Sequence, residues 1–238
     1  MFGEMPLAAS LAALSRFFVS DSTMQETLDR VADLCRQAVP AAAFVGITMM
    51  VEHQPRTAVF TDPASPEIDQ SQYEIDEGPC LDAFRAGVIN RIFDTLDDGP
   101  WPAFRAAAVD HGIRSTLSLP LSIERRNVGA LNLYSPVPYG FSTRDEENAA
   151  QFAGHAAVVL ANANAYWDAR QLSERLDQAM QARAVIEQAK GVLMGAQHCT
   201  ADEAFDLLVK ASQRENIKLR DIAARIVANN SHPDSPSA

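Results

Sequence analysis

Six basic residues near the C-terminal end of this 238-residue chain are spaced to face an anion. Arg183 and Lys190 are seven apart, two turns along one helical face. Lys210 and Arg214 are four apart, and Lys218 and Arg220 follow after a short break. Ammonium and guanidinium groups contact phosphate oxygens, and Ser212, Gln213 and Asn216, interleaved with them, carry donors and acceptors suited to bases or sugars. Gly191, next to Lys190, has no side chain. It admits either a base or backbone of a ligand, or a close helix–helix contact. The chain's lysines are Lys190, Lys210 and Lys218; every other cation is arginine. By spacing alone, the six residues also fit a solvated face of ordinary salt bridges.

The surrounding charge is uneven. Residues 1–167 carry 21 acidic and 11 basic side chains, whereas residues 168–238 carry 10 and 9, within a total of −11. A near-neutral segment is spared the acidity that repels a polyanion. Other chemistries lack their residues. Cys35, Cys80 and Cys199 form no C-x-x-C pair, and the five histidines are scattered. The chain has no H-E-x-x-H, P-loop, G-x-S-x-G or G-x-G-x-x-G pattern, so neither an enzyme nor a zinc cluster is expected. No apolar run has the length of a membrane span. The N-terminal stretch lacks a basic n-region and carries Glu4, which argues against a signal peptide. A cytoplasmic location is the resulting expectation.

The elements that must position these residues fall into two groups. Residues 43–51, 56–61, 88–94, 113–123 and 127–135 read as strands, with "EHQP" as a hairpin connection. Residues 79–87 and 101–112 read as helices. Pro79 suits a first turn, and Gly87 suits the position just past a last one. The polar, proline-containing stretch 61–72 reads as a loop. The fold class is α+β, an antiparallel sheet flanked by helices. From Thr143 no proline occurs until Pro233, and no glycine or proline lies between Gly154 and Gly191. This predicts a long helix, with Leu172, Leu176, Ala179, Ile186 and Leu193 as a coiled-coil seam. "TADE" (200–203) is a capping box opening a helix whose Ala204, Phe205, Leu208 and Ala211 form a core stripe. A last helix carries Leu219, Ile222, Ala223, Ile226 and Val227. Together with the end of the long helix these two make a three-helix bundle. The expected division is an N-terminal helix (1–19), a sheet domain (20–165), a helical linker (166–182), the bundle (183–230) and a disordered tail (231–238).

Two resemblances sharpen this reading. "DEGPCLDAFRAGVINRIFD" followed by "IRSTLSLPL" and "NVGALNLYS" resembles a GAF domain, with Gly78, Gly87, Asp94 and the step Val128–Leu131 where that pattern expects them. The resemblance implies a sensory fold with a small-molecule pocket, often used for dimerisation. Tyr73, Cys80, Phe84 and Phe93 are its candidate lining. Cys80 is either a redox-sensing or chromophore-attaching thiol or a small buried hydrophobe. No cofactor can be read from these residues. "RAVIEQAKGVLMGAQHCTADEAFDLLVKASQRENIKLRDIAARIV" resembles an ANTAR domain along its full length. That family binds paired stem-loops in nascent messenger RNA as a dimer and prevents a transcription terminator from forming. The resemblance assigns RNA contact to Arg183, Lys190, Gly191, Lys210, Ser212, Gln213, Arg214, Asn216, Lys218 and Arg220. The chain then reads as a homodimeric antitermination regulator that is not an enzyme and has no membrane partner. The competing reading is a dimeric DNA-binding regulator, which the alanine-rich last helix, with only Arg220 and Arg225, disfavours.

Overall fold

A computed structural model describes residues 6–16, 23–51, 54–61, 65–124 and 126–230. The chain divides into two compact units, Met1–Trp167 and Asp168–Ala238. The tail expected at 231–238 lies outside the described residues, as do both ends of the predicted N-terminal helix.

The first unit opens with α1 (Leu7–Ser15) and α2 (Met24–Ala38). A complete capping box starts α2: Thr23 accepts from the Glu26 amide, and the Glu26 carboxylate accepts from the Thr23 amide. Strands β1 (Phe44–Val51) and β2 (Gln54–Phe60) form a hairpin. Then come α3 (Ser65–Ile75), α4 (Pro79–Ala86), β3 (Asn90–Ile92), α5 (Pro102–Asp110), β4 (Ser115–Ile123) and β5 (Arg126–Ser135). The described strands make one antiparallel sheet in the order β2-β1-β5-β4-β3. Pro79 begins α4, and Gly87 ends it at φ +67°, the left-handed conformation that glycine adopts without cost. Gly129 is required by space. A Cβ there would lie 2.2 Å from the Thr48 carbonyl oxygen across the β1–β5 ladder.

One expectation fails here. Residues 65–72 are not loop but most of helix α3. The stretch looked like loop because it is polar. Yet Ile68, Asp69 and Gln72 fall on one helical face, and that face is buried. Composition misleads when the buried face of a helix is itself polar.

The sheet's two faces differ in chemistry. Val45, Ile47, Leu117, Leu119, Leu121, Leu131 and Leu133 point to one side, forming the main core with α2 and with Phe152, Ala156 and Leu160 of α6 (Thr143–Gln197). The alternate residues Gly46, Thr48, Thr116, Ser118, Asn132 and Tyr134 point to the other side and are also buried.

The second unit contains the C-terminal part of α6 with α7 (Ala201–Glu215) and α8 (Leu219–Asn230). Its fully buried apolar residues are Ala189, Ala204, Leu208, Ile222 and Ala223 among those described. Val185, Ile186, Leu193, Ala211, Ile217, Leu219, Ile226 and Val227 pack around them. The Thr200–Glu203 capping box is complete. Ile186 and Leu193 therefore serve this bundle core. The other seam residues expected on α6, Leu172, Leu176 and Ala179, are exposed within the single chain, the two leucines by 58% and 55%.

Candidate functional site

In the second unit, the turn from α7 to α8 carries most of the predicted cations. Asn216 ends α7 in the left-handed conformation (φ 53°), its amide bonded to the Ser212 carbonyl. The Ser212 hydroxyl donates to the Ile217 carbonyl at 2.6 Å. Ser212 and Asn216 thus build the turn, and Lys210, Gln213, Arg214, Lys218 and Arg220 stand exposed around it. Arg214 and Arg220 lie near adjacent carboxylates, 3.5 Å from Glu215 and 3.4 Å from Asp221. Glu215 also holds Arg225, and the two guanidinium groups keep its carboxyl below the usual range, Arg225 contributing most. Arg183 and Lys190 stand on α6. The Lys190 ammonium is 3.0 Å from Glu187, and the lysine side chain as a whole is only 17% exposed. Of the two readings of Gly191, the close helical contact is not met among the described residues. A Cβ on Gly191 or Gly195 would touch nothing within 4 Å, and both line a shallow groove with Gln188, Val227 and Asn230.

Phe205 corrects the predicted core stripe. It is 40% exposed, whereas Ala204 and Leu208 are buried. One residue further along a helix is a 100° rotation, and here that rotation takes the ring off the core face. The bundle core is narrow enough to take alanine at that level.

In the first unit, Tyr73 and Cys80 meet. The Tyr73 hydroxyl is 2.8 Å from Thr48 Oγ1 and 2.9 Å from Thr57 Oγ1, and the Cys80 thiol donates to Thr48 Oγ1 at 3.2 Å. Cys80 is fully buried, and burial, reinforced by Asp69, pushes its thiol up to about 12. That favours the buried-hydrophobe reading over a reactive thiolate. Phe84 is half-buried on α4, where its carbonyl accepts from Asn127. Phe93 does not join them. It is 49% exposed, 5.9 Å from the Tyr139 ring, with the Arg91 guanidinium 4.3 Å above it. It follows the short edge strand β3, and its side chain turns outward.

The centre of this cluster is a residue that sequence reasoning missed. Asp69 is fully buried on α3. Its carboxylate accepts from Tyr134 (2.5 Å), Thr57 (2.9 Å) and Gln72 (3.2 Å), with a long contact to Asn132 at 3.5 Å. Burial raises the acid to about 6, against the opposing pull of those four donors. Burial and the nearby carboxylate likewise raise Tyr73 and Tyr134. Gln72 Oε1 accepts from the Cys80 amide at 2.9 Å and ties α4 to α3. Thr116 Oγ1 and Asn132 Oδ1 are buried without a partner among the described residues. The available signal was pairing: Asp69, Gln72 and Tyr73 at helical spacing, opposite polar residues on one pleat face.

Among the described residues no helix is long and apolar enough to cross a membrane. No curated protein matches the chain. A domain of a two-component sensor histidine kinase protein from Sinorhizobium meliloti superposes with a TM-score of 0.52 at 16% identity, covering 63% of this chain and 99% of that one. The GAF domain of the cyanobacteriochrome TePixJ gives 0.50 at 16% identity, covering 63% and 96%. At such identities the likeness is one of fold. The ANTAR domain model matches residues 174–227, the segment that holds the bundle and its cations. The GAF domain model matches residues 21–161, more than half the chain, and the chain therefore belongs to the GAF domain family, with an ANTAR domain following in the manner of a regulatory protein.

Proposed function

We propose that the protein is an RNA-binding transcription antitermination regulator. As a homodimer in the cytoplasm, it grips paired stem-loops of a nascent transcript and catalyses no reaction of its own. The observation that carries this reading is the ANTAR match over 174–227, on a bundle whose exposed cations gather at the α7–α8 turn. Loop nucleotides present unstacked bases and a bent backbone, which a convex corner of cations and amides can follow. Lys210, Lys218 and Arg183 supply the phosphate contacts, joined by Arg214. Gln213 is the exposed amide for a base edge. Ser212 and Asn216 act by shaping the turn, and Gly191 by leaving backbone bare. Lys190 contributes less, because Glu187 already holds its ammonium. The GAF unit, over about 20–165, supplies control, with a small molecule as a possible signal.

The test is a binding comparison of a two-hairpin RNA and a DNA duplex of matching sequence at one stated salt concentration. Tighter binding of the RNA is expected. Preference for the duplex would turn the reading to a DNA-binding regulator. Dimerisation has its own test. The two leucines exposed on α6 lie against a second copy in this proposal, so Leu172→Lys with Leu176→Lys halves the mass seen by light scattering. An unchanged mass would remove the dimer interface from this stretch of helix.

A further inference from the structure

The buried polar cluster under α3 contains a chain of groups that can reverse direction. Asp69 meets Thr57 Oγ1 at 2.9 Å, Thr57 meets the Tyr73 hydroxyl at 2.9 Å, and Tyr73 meets Thr48 Oγ1 at 2.8 Å. Asn132 stands beyond Thr48, its amide nitrogen 3.3 Å away. Each hydroxyl in this series both donates and accepts. We propose that the series is a proton-operated switch: Asp69 takes up or releases a proton, the hydroxyls of Thr57, Tyr73 and Thr48 reverse together, and α3 is held to the sheet more firmly in the acid form.

When Asp69 is ionised it accepts only. Thr57 then donates to it, Tyr73 to Thr57, and Thr48 to Tyr73, while Cys80 and Asn132 donate to Thr48. When Asp69 is protonated the order inverts. Asp69 donates to Thr57, Thr57 to Tyr73, and Tyr73 to Thr48. The last hydroxyl then needs an acceptor. Asn132 Oδ1 has no partner among the described residues. Both contacts of its amide nitrogen are long, so turning the amide over to offer Oδ1 disturbs little. Only the proton is exchanged, with solvent.

Among the described residues no cation faces the carboxylate. The titratable groups around it are Tyr73 on its own helix, Cys80 from α4 and Tyr134 from β5, all acids that burial keeps neutral. The hairpin strands bring Thr48, Thr57 and Gly46, the last so near that a Cβ would lie 3.4 Å from Asp69 Oδ2. From α5, His111 reaches Glu67 rather than Asp69, at 2.8 Å. An unpaired buried carboxylate is costly in the ionised form, and its neutral form removes that cost. The acid accordingly titrates near 6, within reach of ordinary changes of pH. Asp69, Gln72 and Tyr73 form the face by which α3 holds β1, β2, β5 and α4, so the cost falls on that helix. None of this depends on what the bundle binds.

The test is hydrogen exchange of the α3 amides in the full chain between pH 4.5 and 8, corrected for intrinsic exchange, with α2 as internal reference. Local opening returns Asp69 to its ordinary acidity. Opening of α3 should therefore increase with pH, by about thirtyfold between pH 4.5 and 8, and level off above the folded titration point. The α2 peptides should show no such step. Glu67–His111 is the confounding pair: His111 is raised first by its bond to the Ala107 carbonyl and then by Glu67, and the pair also firms α3 in acid. The measurement is therefore repeated in His111→Gln, where the step must persist. Asp69→Asn should abolish it. If that variant does not fold, Tyr134→Phe serves instead: losing the shortest donor to the carboxylate moves the midpoint to higher pH. A flat profile in the parent, a step that disappears with His111→Gln, an undiminished step in Asp69→Asn, or an unmoved midpoint in Tyr134→Phe would each overturn the proposal.

Discussion

The GAF unit buries hydroxyls, amides and a carboxyl deep under α3, among them Thr48, Asp69, Gln72, Thr116 and Asn132, whereas no polar side chain of the ANTAR bundle is fully buried among the described residues. The bundle's core is small and wholly apolar, and its chemistry stands outside, around the α7–α8 turn. The difference fits the tasks proposed for the two units. A surface that meets an extended polyanion needs exposed donors on a firm support, while an interior that responds to a signal needs polar groups shielded from water, where each interaction is strong.

The bundle's dependence on a small core is the sharpest way to test that contrast. Leu208 and Ile222 are the two large residues at its centre, beside Ala189 and Ala223. Leu208→Ala should cost about 2–5 kcal/mol, most of what so small a unit has. Far-ultraviolet circular dichroism should show the bundle melting well before the sheet domain, with RNA binding lost. Leu119→Ala in the GAF core carries a similar cost, but against a much larger store of buried surface, and should leave that unit folded at room temperature. Equal lowering of both transitions would break the comparison.

The interior of the GAF unit is tested next by pH. Asp69 titrates near 6 in the folded chain against 3.8 for an ordinary aspartate. A raised acid contributes stability below its unfolded value and loses it as pH rises through the folded one. Between pH 4 and 7 the parent should therefore lose about 2 kcal/mol relative to Asp69→Asn, read from urea unfolding of the two proteins at each pH. The difference matters because other groups move the opposite way. The Asp94 carboxyl, held below its usual range chiefly by Arg114, favours the folded state at higher pH.

How much of this was legible in the sequence follows the same division. The bundle was readable because its signals are local: a capping box, stripes at three- and four-residue steps, and cations outside them. Strands β4 and β5 were readable from strict alternation. Alternation does not say whether the polar face meets water or another layer. Thr116, Ser118 and Asn132 are buried because α3, α4 and α5 cover them, and α3 was itself read as loop because its buried face is polar. Asp69 was thus hidden twice, by its helix and by its partners. Phe93 was a candidate for the pocket lining, but it follows a three-residue edge strand and stands half exposed.

On the outside of the bundle the effects are smaller and of another kind. Lys210→Ala should weaken binding to a two-hairpin RNA by about 1–3 kcal/mol and lower the salt dependence, with the melting temperature unchanged. Lys190→Ala should weaken it less, since Glu187 already neutralises that ammonium. Titrations at two salt concentrations distinguish the two. An equal loss would mean that Lys190 leaves Glu187 on binding.

The smallest expected effect concerns Phe205. A phenylalanine in a core stripe costs about 3–5 kcal/mol when truncated. Here the ring is 40% exposed, and its neighbours Ala204 and Leu208 fill the core without it. Asp202 and Asp206 flank it on the same helix, which makes that face a poor support for a nucleic acid base beside its phosphate. Phe205→Ser should therefore change the unfolding free energy of the bundle by no more than about 0.5 kcal/mol, as for an ordinary surface site. It should also leave RNA affinity close to that of the parent. Urea unfolding followed at 222 nm reads the first, and the hairpin titration the second. A loss of several kcal/mol that grows with protein concentration would show that the ring is covered after all, by a second copy of the chain. The polar outside of the bundle would then include an apolar interface, and its contrast with the GAF interior would have to be redrawn at that residue.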